Sequence, residues 1–135
     1  MPYQILLALL DVLNVCEFRR LSALFAPHFR GQDCARSETI CGAEGVWAAV
    51  QEYLRAFPDL SLKLVDVQIG DQGVAAYWTA RGTHQGPWMH IPPTGREVSV
   101  QGMWMLTIEK GRIIRARSMW DVAGLLRAIG LLPDL

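Results

Sequence analysis

The sequence is short of cysteine, of net charge and of long apolar runs, and each shortage removes a class of protein. Its three cysteines, Cys16, Cys34 and Cys41, show no CxxC pair and no Cys/His ligand spacing. Neither a disulfide framework nor a metal site is therefore supported, and free thiols are expected. Thirteen basic and thirteen acidic side chains cancel to a formal charge of zero, and only Arg112, Arg115 and Arg117 cluster. A phosphate-backbone binder needs a basic patch that releases counterions, so no nucleic-acid partner is expected. The apolar run in MPYQILLALLDVL is far short of a membrane span, has no basic segment before it and is broken by Asp11. The reading is a cytoplasmic protein with no membrane partner. Internal repeats, low-complexity tracts and linkers are also missing.

What is there fits one globular domain over residues 1–135, with 51% hydrophobic and 19% charged residues. Leu6, Leu9, Leu10 and Leu13 recur at i, i+3, i+4 and i+7, the stripe of a helix buried on one face and ending near Asn14. A second, short helix carries Phe18, Leu21, Leu24 and Phe25 and stops before Pro27, because proline disfavours helical geometry in the residue before it. Phe29 to Gly42 is polar and glycine-bounded and reads as a loop with at most a short strand. A third helix sets Trp47, Val50, Leu54 and Phe57 on one face and ends before Pro58. Beyond it, LKLVDVQI, VAAYWTARGT, VSVQGMWMLTI and RIIRARSMW have strand length and strand composition. GDQG and EKG fit hairpin turns, whereas His84 to Glu97 forms a longer loop. Helices followed by antiparallel strands predict an α+β fold. A curled sheet with helices on its concave face buries both sets of apolar stripes, and leaves a pocket where the helices do not fill its mouth.

The stretch from Gly111 to Gly130 joins the last strand to a closing helix, with Asp121 at the junction. An acid there has two readings: an N-cap that accepts from orphan backbone N–H groups, or a carboxyl group facing the pocket. Strand alternation puts Arg115, Arg117, Met119 and Asp121 on one face, so a guanidinium reaching Asp121 would make a structural ion pair and lower its pKa. Burial among Trp78, Trp104 and Met119 would instead raise it. Trp78, Trp88 and Trp104, with Met89, Met103, Met105 and Met119, offer surface suited to a flat polycyclic or polyketide-like hydrophobic molecule, or else ordinary core. Trp88 lies in a loop beside Pro87 and has less reason to be buried unless a pocket or partner covers it. His84 and His90 flank the same loop, and His90 is the better second proton carrier.

The order of elements, with FPDL at Phe57 to Leu60, RGTHQG at Arg81 to Gly86, IPPTGR at Ile91 to Arg96 and WDVAGLLRAIG at Trp120 to Gly130, resembles the SnoaL-like polyketide cyclase family. That family belongs to the nuclear transport factor 2-like superfamily of cone-shaped barrels, each a curved, mostly antiparallel sheet wrapped on N-terminal helices. The resemblance implies an apolar pocket, no metal, no cofactor and a homodimer through the outer sheet face. It also implies that Asp121 is the acid/base of an intramolecular aldol ring closure, and that His84 belongs to loop architecture that borders the ligand. Relatives commonly carry a pattern like EHWDVxD over the span where this chain has Arg115 to Asp121, and its His/Trp/Asp part is missing here. A two-residue acid/base pair therefore does not carry over.

Two alternatives stay open at this level. One is an epoxide hydrolase or isomerase on the same cone, for which Arg81 or Arg117 with Asp121 supplies part of a water-activating cluster. The other is a non-catalytic ligand-binding or dimerisation module whose pocket is filled by its own side chains, the five tryptophans among them.

Overall fold

Leu6, Leu9 and Leu10 are buried together on the first helix, α1 (Pro2–Val15), as their spacing predicts. Each such side chain contributes about 1.5–3 kcal/mol when taken out of water. The computed structural model describes residues 2–15 and 17–134, so Cys16 lies outside it, and Cys34 and Cys41 are free and exposed thiols. After α1 come α2 (Phe18–Ser22), β1 (Phe25–Asp33), β2 (Ile40–Cys41), α3 (Gly42–Ala56), β3 (Ser61–Ile69), β4 (Gly73–Thr83), β5 (Glu97–Glu109), β6 (Arg112–Trp120) and α4 (Val122–Ala128). No helix among the described residues is long and apolar enough to cross a membrane.

The six strands form one curled, unclosed sheet in the order β2-β1-β6-β5-β4-β3. The run from β3 to β6 is an antiparallel meander, while β1 joins β6 in parallel. Lys110 and Gly111 turn the last hairpin with φ of 52° and 76°. Positive φ at both central residues matches the right-handed twist of the strands they connect. Along β4 the even-numbered residues Val74, Ala76, Trp78 and Ala80 are buried, so one face of the sheet packs against α1 and α3. Outside the end of β4, Asp59 of the FPDL segment accepts from the Thr83 N–H at 2.7 Å and the Thr83 hydroxyl at 2.8 Å. Those bonds hold its carboxyl below the usual carboxylate range.

The strand β1 is the main departure from the sequence reading. Phe25 opens a strand instead of closing a helix, and the segment expected as a loop after Phe29 pairs in full as far as Asp33. The reason is local. The register between β1 and β6 shifts between Phe25 and Arg30, and Pro27 and His28 sit exposed within that irregular stretch. A proline there removes no ladder bond, so the strand tolerates it. Beyond it Phe29, Gly31 and Asp33 turn inward while Arg30 and Gln32 face out.

One glycine sets how close the inner side chains come. Gly102 of β5 pairs with Trp78 on one side and Trp120 on the other. A methyl group added there would sit 2.5 Å and 2.6 Å from the Trp78 ring and 2.7 Å from the Trp120 Cβ. Gly102→Ala is expected to cost about 1–3 kcal/mol of stability through overpacking, measured by denaturant unfolding; an unchanged midpoint would contradict this packing.

Candidate functional site

Between the inner face of the sheet and α3 lies a cavity of about 220 Å³. Its walls come from Leu9 and Leu13 of α1, Ala49, Val50, Tyr53 and Leu54 of α3, and Trp78, Val100, Trp104, Leu106 and Trp120 of the sheet. The tryptophans therefore line the cone without filling it. Among the described residues that line this space, Asp33 alone carries a charge.

Asp33 is 8% exposed, and its carboxylate is held by groups from three parts of the chain. The Tyr53 hydroxyl donates to Oδ2 at 2.7 Å, the Trp120 indole N–H to Oδ1 at 3.1 Å and the Ala35 N–H to Oδ1 at 2.9 Å. A buried carboxylate needs such donors, because the water it gives up would otherwise go unreplaced. Each donor is placed by ordinary secondary structure. Tyr53 lies on the inward stripe of α3, Trp120 closes β6, and parallel pairing sets Asp33 beside Ser118. The edges of Tyr53 and Trp88 rest against Trp120 with centroids 5.9 Å and 5.8 Å away, which fixes the ring that reaches Asp33. Arg36 lies just outside, its Nε 3.9 Å from Oδ2, but its Nη2 is drawn 2.6 Å from Glu52.

The residues singled out from sequence divide into three groups. Trp78 and Trp104 line the cavity, their rings 5.5 Å apart. Trp88, Met89 and His90 instead border a second hollow of about 290 Å³ with Arg36, Glu52, Tyr53 and Arg55, so Tyr53 has one side on each space. Trp88 is buried there and belongs to the smaller core beneath α4. His90 is exposed in that hollow and does not line the cavity.

The remaining candidates lie elsewhere. Asp121 does not line the cavity; it is the N-cap of α4, and its Oδ1 accepts from the Gly124 N–H at 2.8 Å. Among the described residues neither Arg115 nor Arg117 pairs with it. Met119 points to the outer face of the sheet and is 69% exposed, so it cannot desolvate an acid inside the cone. His84 is fully buried away from the cavity, where its Nδ1 accepts from the Thr94 N–H at 3.2 Å and ties the two ends of the loop together. Among the described residues no group of three His, Cys, Asp or Glu side chains is placed to hold a metal ion.

Sequence reasoning passed over Asp33 and Tyr53, and the geometry gives Tyr53 a measurable signature. Burial and, next, the hydrogen bond to Asp33 push its phenol well above the ordinary 10.0, with Arg36 opposing in part. In an alkaline titration followed by phenolate absorbance, Tyr53 is expected to stay protonated past pH 10. Tyr53→Phe should remove this late component, and Asp33→Asn should move it only partway down, because burial remains. A late component that survives Tyr53→Phe would contradict the assignment.

With the geometry in hand, comparison with known proteins gives the chain a family. The family model for the SnoaL-like polyketide cyclase matches residues 3–129. No curated protein matches the chain. Among solved structures, TsrD from Streptomyces laurentii is 29% identical with a TM-score of 0.85, covering 96% of this chain and 95% of TsrD. IdmH from Streptomyces antibioticus, provisionally described as a polyketide cyclase, is 27% identical with a TM-score of 0.83, covering 96% of this chain and 99% of IdmH. AclR from Streptomyces galilaeus, provisionally described as a hydroxylase, is 25% identical with a TM-score of 0.87, covering 99% of this chain and 87% of AclR. A match over nearly the whole chain, on a curled α+β sheet around an apolar cavity, means that this protein belongs to the SnoaL-like polyketide cyclase family.

Proposed function

We propose that the protein is a cofactor-independent acid/base catalyst that closes a ring in a hydrophobic carbonyl compound, with Asp33 as the proton carrier. The observation that carries this reading is Asp33, the one acidic or basic side chain among the described residues that line a mostly apolar cavity. The likeness to IdmH adds weight to ring closure over other acid/base chemistry. The Asp33 carboxylate takes a proton from the carbon beside a substrate carbonyl, leaving an enolate. The enolate carbon then bonds to a second carbonyl carbon of the same molecule. The proton on Asp33 passes to the oxygen of that second carbonyl, which becomes a hydroxyl, and the carboxylate is restored. No atom is lost or gained. A cavity of about 220 Å³ lies below the usual range of about 300–1,000 Å³ for ligand pockets. A compact one- or two-ring compound suits it better than a long chain.

Asp121 and His90 have no part in this step: the first caps a helix and the second borders the outer hollow. We further propose a homodimer through the outer face of the sheet. Met103, Met105 and Met119 stand there 49%, 61% and 69% exposed, with Met103 directly paired to Met119. An apolar patch of this kind on a sheet face marks an interaction surface.

Two measurements bear on these readings. Asp33→Asn keeps the shape of the side chain and is expected to lower the rate of enolisation of a bicyclic ketone such as 2-tetralone by about 10²–10⁴-fold. It should do so without loss of the folded circular dichroism spectrum, whereas Asp121→Asn should retain activity; the reverse pattern would return the chemistry to Asp121. For assembly, sedimentation should give a dimer that Met103→Lys with Met119→Lys converts to monomer, and a native monomer would rule the interface out.

A further inference from the structure

We propose that the Trp78 indole N–H is the second polar arm of the cavity: it donates to a carbonyl oxygen of the bound compound and to the negative charge that develops there. This rests on the reading of the cavity as the reaction site. Trp78 lines that space and is 6% exposed, yet its Nε1 is buried with no hydrogen-bond acceptor among the described residues. A buried indole N–H nearly always has a partner, so an orphan in a cavity wall calls for an acceptor from the ligand.

The neighbouring indole shows the contrast. Trp78 and Trp120 flank Gly102 on adjacent strands, and the Trp120 N–H is already committed to Asp33 at 3.1 Å. The missing side chain at Gly102 lets the Trp78 ring lie down beside Trp120, and Trp104 packs against it at 5.5 Å. One rung of the sheet thus carries both functions: one indole fixes the base, and the other offers an unused donor in the same wall. An indole N–H donates and cannot accept or relay a proton, so its contribution is to stabilise charge on oxygen, in the manner of an oxyanion hole. The ligand class that fits is an apolar ring bearing a carbonyl group.

The test compares 1-tetralone with tetralin, which has the same skeleton and no carbonyl. Their dissociation constants are measured for the wild-type protein and for Trp78→Phe. The preference for the ketone should fall about fivefold in the variant, as expected for one lost hydrogen bond. In the wild type the Trp78 indole resonance, assigned by its disappearance in Trp78→Phe, should move downfield with tetralone and not with tetralin. A preference that stays within about twofold of wild type overturns the proposal. If neither compound binds the wild-type protein, the cavity reading itself fails and takes this inference with it. Should Trp78→Phe not fold, benzothienylalanine at position 78, which keeps the fused-ring shape and replaces N–H by sulfur, serves the same comparison.

Discussion

A carboxylate taken out of water must find its hydrogen bonds in the protein, and the core of this molecule is arranged around satisfying one at Asp33. Tyr53 comes from α3, Trp120 from the end of β6 and the Ala35 N–H from the turn after β1. Removing the acid would leave these three part-buried donors without that partner, at about 1–3 kcal/mol for each that stays shut off from water. The same contacts tie the third helix to the two strands that meet in parallel, so the site and the packing of the fold are one set of interactions.

That set also explains the uneven chemistry of the cavity. Apart from Gln32 and Ser118, the described residues that share the cavity wall with Asp33 are apolar or aromatic, and Arg36 is held by Glu52 on the outer side of Tyr53. Tyr53 is thus a partition, with the apolar cavity on one side and a charged hollow on the other. A low-dielectric space with one carboxyl group suits proton transfer at carbon, where the group must be close, aimed and shielded from competing water. The outer methionine surface lies on the opposite side of the sheet, so the proposed assembly and the proposed chemistry would use different faces of the same strands.

Much of the fold was legible because the periodic signals were clean. The leucines of α1, the strand runs after Pro58 and the Lys110–Gly111 turn behave as their spacing and chemistry predict. The motif from Gly82 to Arg96 pointed to the family that the comparison supports. The site was harder to see. FAPHFRGQD hides its alternation behind Pro27 and His28, and only Phe29, Gly31 and Asp33 show the period of two that makes it a strand. A polar stretch read as loop concealed Asp33, the one acid among the described residues that line the cavity. Tyr53 gave a weaker signal that was there to use, since it falls three residues after Val50 on the apolar stripe of α3, where a hydroxyl needs a buried acceptor. Asp121 was conspicuous because an acid before a helix has two readings, and its bond to the Gly124 N–H shows the cap.

The most direct measurement is a crystal structure of the protein with 2-tetralone bound. The ketone is expected inside the cone, with the carbon beside its carbonyl about 3–3.5 Å from an Asp33 oxygen, the distance at which a proton can move. A ketone lodged in the outer hollow by His90, or against Asp121 with the inner cavity untouched, would contradict it.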